Sequence, residues 1–497
     1  MSEGRVGRVW LVGAGPGDAG LLTLRGREVL QGAEAVVYDR LVGDGVLAMI
    51  PAGAERVDVG KSGGSHPVPQ REIEAILLRL ALSGRRVVRL KGGDPFLFGR
   101  GGEEAEALLR HGIPFEVVPG VTSAVAAPAW AGIPVTHRGL ASSLHVVTAH
   151  SREGGLPDLD FEALARLKGT LIFLMGVEGA PELCARLMEA GMAPETPAAA
   201  VERGTSARQR RVSATLRTLA EAMRGTGVRP PAVLVVGAVA ALAERFDWRA
   251  ALPLSGVRAA VTRPRERAGR LSRMLRDAGA EVLEVPCIAT EPLEEPLSRI
   301  GGADWAVFTS AAGIEALTAR LAREGRDVRE LGSARLAAIG PATAEALRAC
   351  GLRVDLMPDV YDGEHLAVAL AGRMRTGEKA LLLRAEEHGP ELTEGLRAAG
   401  VPFREVPLYR TCRLRLELPE DLDMAFFTSA STVGAFAACA PAGWRGWSEV
   451  GALCIGRQTA RAAREAGFAR VFTADSATLE ALLAAAVAAR GQITAAR

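Results

Sequence analysis

Lysine is nearly missing from this chain. Lys61, Lys91, Lys168 and Lys379 are its only four, and the rest of the 60 basic residues are arginine. Against 58 acidic residues the formal net charge is +2, which removes the electrostatic case for nucleic acid as a partner. The arginine excess fits either a coding bias or a ligand rich in carboxylates, which guanidinium groups pair with bidentately. Cysteine is also scarce. Cys184, Cys287, Cys350, Cys412, Cys439 and Cys454 fall at no metal-ligand or disulfide spacing, so no metal site is expected and a reducing cytoplasm is. No signal peptide opens the chain and no apolar run reaches membrane-spanning length, so no membrane partner is expected either. What remains is an ordinary globular balance, 48% hydrophobic and 24% charged. At 497 residues it exceeds one hydrophobic core, and two to four domains follow.

One stretch organises the first half. Val87-Val88 reads as a buried strand that runs into Arg89-Leu90-Lys91-Gly92-Gly93-Asp94-Pro95, and Glu103 to Leu109 starts a helical pattern. A Gly-Gly-Asp-Pro turn leaving the carboxyl end of a strand lies where open α/β sheets bind ligands. Its backbone N–H groups can hold a carboxylate, and Asp94 can accept from hydroxyl or ammonium groups. The competing reading is an ordinary tight strand–helix turn.

Other turns of this kind flank it. Strand Arg8-Val9-Trp10-Leu11-Val12 runs into Gly13-Ala14-Gly15-Pro16-Gly17-Asp18-Ala19-Gly20, and strand Ala35 to Tyr38 ends at Asp39. Gly15, Gly17 and Gly20 satisfy G-x-G-x-x-G, and Asp39 stands about where a ribose-binding acid would, so a nicotinamide-binding fold competes. Two features oppose it. The first glycine at the strand end is Gly13, which puts Asp18 where the third glycine belongs, and Pro16 removes an N–H from the turn. Further along come a strand ending at Gly60-Lys61, an amphipathic helix from Gln70 to Leu82, and Phe115 to Ala124 as strand, turn and small-residue helix. His137 beside Arg138 reads as a hydrogen-bonded loop residue before a catalytic one. Four more strands follow, at 144–149, 170–176, 198–205 and 232–237.

These motifs carry a resemblance. Gly15-Pro16-Gly17-Asp18, Tyr38-Asp39-Arg40-Leu41-Val42, Gly60-Lys61, Arg89 to Glu104, Val118 to Ala124, Gly132 to Arg138, Met175-Gly176 and Pro231-Ala232 resemble uroporphyrinogen-III C-methyltransferase over about residues 6–247. The resemblance implies a two-domain α/β protomer, usually a homodimer through this half, with S-adenosyl-L-methionine as methyl donor and S-adenosyl-L-homocysteine as product. It implies a donor pocket of Pro16, Gly92, Gly93, Asp94, Leu97, Thr122, Ser123, Met175, Gly204 and Ala232, with Asp39 and Lys61 in proton transfer. Family members often place a second basic residue after this lysine; here Ser62-Gly63-Gly64-Ser65-His66 follows.

Past Phe246 to Gly256, which reads as a linker, the pattern starts afresh with a strand at Val257 to Val261, then Thr262-Arg263-Pro264 and a helix from Ala268 to Ala278. An internal echo follows. Val307-Phe308-Thr309-Ser310 pairs with Phe426-Phe427-Thr428-Ser429-Ala430-Ser431, Ile339-Gly340 with Ile455-Gly456, and Glu284-Val285-Pro286 with Glu405-Val406-Pro407. Such duplication suggests two similar α/β lobes. Strand-end hydroxyls at helix N-termini suit anions, although N-capping alone also explains them. With Leu383-Arg384-Ala385-Glu386 and Pro407-Leu408-Tyr409-Arg410-Thr411, this half resembles uroporphyrinogen-III synthase over about residues 256–490. The resemblance implies closure of hydroxymethylbilane, with Tyr409 as proton donor or hinge-packing aromatic. Arg263, Thr309, Ser310, Thr428, Ser429 and Ser431 would grip the substrate's carboxylates.

The expected architecture is therefore α/β, a two-domain tetrapyrrole methylase fold followed by a bilobal synthase fold. The expected division is 1–124 and 125–247 for the methylase domains, 248–256 as linker, 257–286 plus 407–497 as one synthase lobe and 287–406 as the other. The two resemblances imply consecutive reactions on small-molecule tetrapyrroles, from hydroxymethylbilane to precorrin-2 on the way to sirohaem or cobalamin. The alternatives are a non-catalytic tetrapyrrole-binding C-terminal module and a nicotinamide-dependent oxidoreductase.

Overall fold

A computed structural model describes residues 6–60, 68–150, 155–263, 265–295, 297, 300–414, 418, 421–441 and 443–494. The chain forms two units, Met1–Val285 with Glu417–Arg497, and Pro286–Leu416. Among the described residues no helix is long and apolar enough to cross a membrane.

The first unit opens with a parallel sheet of β1 (Arg8–Gly13), β2 (Ala35–Tyr38), β3 (Glu55–Asp58), β4 (Arg86–Lys91) and β5 (Phe115–Val118), in the order β3-β2-β4-β1-β5. Its strands are short apolar runs because both faces are covered, one by the core around Leu77 and Leu108 and the other by that around Leu30 and Ile50. The order answers the dinucleotide alternative. In that fold β1 lies against β2's side of the switch point in the order 3-2-1-4-5, whereas here β4 is inserted between β1 and β2. The glycine turn also leads into a short 3-10 turn, Ala19–Leu21, and the α-helix starts only at Leu24. The amphipathic helix expected over Gln70–Leu82 spans those residues.

The second sheet comprises β6 (Leu144–Thr148), β7 (Thr170–Leu174), β8 (Pro197–Glu202), β9 (Arg210–Thr215) and β10 (Ala232–Val236), ordered β6-β7-β10-β8-β9. Only β6 and β7 pair in parallel; β10 runs antiparallel to both β7 and β8. The hairpin strand β9 was not among the expected strands.

The third sheet contains β11 (Arg258–Val261) and β12 (Glu281–Glu284). The chain then builds the second unit from β13 (Ile288–Pro292), β14 (Trp305–Phe308), β15 (Arg335–Ala338), β16 (Ala380–Ala385) and β17 (Phe403–Arg413). It returns with β18 (Met424–Phe427), β19 (Gly451–Cys454) and β20 (Arg470–Thr473). The third sheet is parallel, β12-β11-β18-β19-β20, and that of the second unit is β13-β17-β16-β14-β15. The echo is visible here: each Thr-Ser strand, β14 or β18, lies beside the strand that follows it and ends in a glycine turn.

One boundary differs from expectation. Residues 407–413 lie in β17, which pairs with β16 and β13, so they belong to the second unit's sheet and not with 418–494. Pro407 did not end the strand because it sits at a bulge, where pairing slips between Arg384 and Ala385 and a missing N–H is tolerated. The stretch 248–256, expected as a linker, is packed. Trp248 lies edge-on to Trp130 at 5.5 Å and donates to Ala129 O at 3.2 Å, and Leu254 is fully buried among Val257, Leu271 and Leu275.

Candidate active sites

Three turns leave the carboxyl edge of the first sheet and meet backbone to backbone. Gly15 and Gly93 form an isolated bridge, with Gly93 N donating to Gly15 O at 2.7 Å. A Cβ on Gly13 would lie 2.5 Å from Gly120 Cα and 2.6 Å from Gly93 O, so no side chain fits between these turns. On its outer side Gly93 has a φ of +68° and open space where a Cβ would go, leaving bare backbone facing outward. Asp94 ties the cluster. Its Oδ1 accepts from Phe96 N (2.8 Å) and Leu97 N (3.2 Å), and its Oδ2 from Gly120 N (3.0 Å). The carboxylate expected to face a ligand is thus engaged by three backbone amides and shapes the turn. Thr122 N-caps the helix Ser123–Trp130, its Oγ1 accepting from Ala124 N at 3.2 Å.

Met175, Gly204 and Ala232 share one edge of the second sheet, at the end of β7, the end of β8 and the start of β10. Met175 is half exposed with a φ of +58°, and Arg203 and Thr205 are also left-handed. Thr205 Oγ1 accepts from Asp18 N at 3.2 Å, and a Cβ on Gly204 would lie 2.3 Å from Ala127 Cβ. This edge therefore abuts the β1 turn, where half-buried Pro16 lies, and the Ser123 helix.

Asp39, at the end of β2, is partly exposed. Its Oδ1 accepts from Leu41 N (3.1 Å) and Gly92 N (3.4 Å), and Arg89 lies 3.6 Å from Oδ2. Lys61 lies outside the described residues. Behind the turn Arg89 and Lys91 are both bonded to Glu104, and all three are buried.

In the third sheet and the second unit, both Thr-Ser pairs end strands and precede helices. Ser310 Oγ caps the helix Ala311–Arg323 and Ser429 Oγ caps Ala430–Cys439, so the capping reading holds for both serines. Ser429 and Ser431 hydroxyls are 2.9 Å apart. Thr309, Thr428 and Arg263 are half-buried at strand ends. Tyr409 is only 7% exposed, packed in the core with Leu408 and Phe308, yet its hydroxyl reaches Ser310 Oγ at 2.8 Å. Among the described residues no group of histidine, cysteine and acidic side chains could hold a metal ion.

Residues 8–220 match the family model of tetrapyrrole (corrin/porphyrin) methylases, and residues 269–484 that of uroporphyrinogen-III synthase HemD. A protein of Ruminiclostridium josui named porphyrin biosynthesis protein HemD is 43% identical over 96% of this chain and 97% of its own length. The chain belongs to this family of tetrapyrrole methylases fused to uroporphyrinogen-III synthases. The uroporphyrinogen-III C-methyltransferase of Bacillus subtilis is 40% identical, over 71% of this chain and 74% of that protein. A crystal structure of uroporphyrin-III C-methyltransferase from Thermus thermophilus, complexed with S-adenosylhomocysteine, is 47% identical, covers 48% of this chain and all of its own, and has a TM-score of 0.42. The chain is thus a bifunctional enzyme of tetrapyrrole biosynthesis.

Within the methylase half, sequence reasoning missed the left-handed Phe98, Arg100, Arg203 and Thr205, which no residue code announces. It also missed the buried Arg89–Glu104–Lys91 cluster, although two cations spaced by one residue in an otherwise apolar strand were a usable signal. In the synthase half it singled out Arg384 without its partners. Arg384 Nε donates to Glu405 at 3.0 Å, and His388 Nε2 lies 3.1 Å from the same carboxylate.

Proposed function

We propose that the synthase half closes linear hydroxymethylbilane to uroporphyrinogen III, losing water and inverting the last pyrrole ring. The methylase half then methylates that product at C2 and C7, giving precorrin-2 for sirohaem or cobalamin. The observation that carries this reading is the pairing of bare-backbone turns at Gly13, Gly93 and Gly120 with the strained Met175 and Arg203–Thr205 edge. S-adenosylmethionine supplies an electrophilic methyl group on a sulfonium centre. Gly92, Gly93, Leu97, Thr122 and Ser123 hold it from the first sheet with Pro16, while Met175, Gly204 and Ala232 hold it from the second. Open space above Gly93 suits a ligand that needs close approach to backbone.

The macrocycle's electron-rich carbon is itself the nucleophile, so the protein's work is orientation and exclusion of water. Asp94 contributes by fixing the turn. Asp39, with Lys61, handles the proton that leaves the macrocycle after methyl transfer. In the synthase half Arg263, Thr309, Ser310, Thr428, Ser429 and Ser431 grip side-chain carboxylates beside helix N-termini. Tyr409 delivers its proton toward the leaving hydroxyl by way of Ser310. Protomers pair through their methylase halves.

Supplying hydroxymethylbilane alone to the full-length protein should yield the III isomer; the I isomer alone, the product of spontaneous closure, would leave the synthase half a binding module. Adding S-adenosylmethionine should then develop precorrin-2 absorbance. Asp94→Ala should abolish adenosylhomocysteine binding in calorimetry while ring closure continues. Undiminished methylation by that variant would remove the donor-pocket assignment, and binding of NAD without adenosylhomocysteine would remove the methylase reading.

A further inference from the structure

A buried charged cluster behind the donor turn ties β4 to the helices Gly101–Arg110 and Gln70–Leu82. Arg89 and Lys91 are alternate residues of β4, so both side chains leave the same face of the sheet. They are 3% and 4% exposed, and Glu104, from the helix Gly101–Arg110, is 0% exposed. Glu104 Oε1 alone accepts from Arg89 Nε (3.0 Å), Lys91 Nζ (2.9 Å) and Gln70 Nε2 (3.4 Å). Its Oε2 is buried without a hydrogen-bond partner among the described residues. Burial, aided by the neighbouring Arg89, pushes the Lys91 ammonium below the usual lysine range.

Removing charges from water is costly, and apolar replacements of buried ion clusters are often neutral or stabilising. The geometry offers another reason for keeping it. Arg89 donates to Leu90 O at 3.0 Å and Val37 O at 3.4 Å, and its remaining terminal nitrogen is 3.6 Å from Asp39 Oδ2. Opposite charges therefore alternate through the cluster, Lys91 and Arg89 both on Glu104 and Arg89 also on Asp39. The Asp39 carboxylate accepts on one oxygen from the Leu41 and Gly92 amides and faces Arg89 across a 3.6 Å ion pair on the other. Gly92 opens the donor turn, so the same contacts register the carboxylate to that turn.

We propose that Arg89 and Glu104 are positioning residues for methyl transfer: Glu104 fixes the Arg89 guanidinium, and Arg89 fixes the orientation of the Asp39 carboxylate. Lys91 balances Glu104, so that two buried cations face two anions. The inference rests on the reading of Asp39 as the group that accepts the macrocycle's proton.

The test uses the full-length protein, with kcat for methyl transfer, adenosylhomocysteine affinity and thermal midpoint measured together. Arg89→Met and Glu104→Gln should each lower kcat by about 10- to 100-fold, the range typical of groups that orient a reacting side chain. Adenosylhomocysteine affinity should stay within about threefold of wild type, because neither residue faces the donor turn. In an Asp39→Asn background Arg89→Met should cost nothing further, since its effect passes through Asp39. The triple change Arg89→Met, Lys91→Met, Glu104→Leu should unfold no lower than wild type yet transfer methyl as slowly as Arg89→Met. Wild-type kcat in Arg89→Met alongside a slow Asp39→Asn, or additive losses in the double variant, would overturn the proposal. A triple variant that melts well below wild type would overturn it too, assigning the cluster to stability. Wild-type kcat in Asp39→Asn would instead remove the reading beneath it.

Discussion

Left-handed backbone outside glycine is confined, among the described residues, to Phe98, Arg100, Met175, Arg203 and Thr205. Each such residue costs on the order of 1–3 kcal/mol, and such strain gathers where a ligand must be held. None of it could be read from residue type, whereas the turn glycines could, because a strand ending in several glycines has few other uses. Asp94 shows the same limit: its place in the turn after β4 was legible, but its engagement by three amides was not. The cysteines give a test at this scale. Burial pushes the Cys184 thiol up to about 11 and the Cys454 thiol up to about 12, so at pH 8 both are protonated and poorly nucleophilic. Exposed Cys350 should be labelled first by a disulfide reagent on the native protein, and Cys184 and Cys454 only on unfolding. Peptide mass spectrometry would read this, and fast native labelling of Cys184 would mean that the core of the second sheet opens readily.

Elements followed their periodicity where burial was one-sided or complete. The Gln70–Leu82 helix was legible because its apolar positions recur at helical spacing. The strand β9 was not, since Arg210-Arg211-Val212-Ser213-Ala214-Thr215 lies at a sheet edge and buries little. Arg210 is anchored by Glu202, its cross-strand neighbour, and Arg211 by the distant Ala131 carbonyl. The close approach of three strand-end turns yields a paired prediction. Gly120→Ala would place a Cβ 2.2 Å from Gly93 O and 2.7 Å from Gly13 Cα, both backbone. It should destabilise the protein by about 1–3 kcal/mol and weaken adenosylhomocysteine binding. Gly102→Ala, in the neighbouring helix with nothing within 4 Å, should gain about 0.5–1 kcal/mol. Thermal unfolding with calorimetric titration checks both, and a neutral Gly120→Ala would show that the turns have slack.

Over the whole molecule, the two halves were legible as separate patterns, but their junction was not. Arg258, 8% exposed, meets Asp44, Glu281 and Asp421, while Arg208 meets Asp423 at 3.0 Å and Ala207 N donates to Glu281 at 2.7 Å. Partners as far apart as Arg258 and Asp44, or Arg208 and Asp423, leave no local trace, so the ion pairs that flank the expected linker could not be read from the sequence. Arg258→Ala strips Asp44, Glu281 and Asp421 of their shared partner and should cost about 1–3 kcal/mol. Scanning calorimetry should then resolve the methylase sheets from the third sheet as separate transitions; a single unshifted transition would show that the ion pairs carry no cohesion.

The third sheet is interrupted in sequence by the whole second unit, and this orders its assembly during translation. Strands β11 and β12 are complete by Glu284, but β18, which slots in beside β11, begins only at Met424. At about 5–20 residues per second the ribosome delivers that strand after a wait of roughly 7 to 28 seconds. Throughout that pause β11 presents an apolar edge with no neighbour, and the speed of decoding across the inserted unit sets how long a nascent chain is open to chaperones or to a mispaired copy.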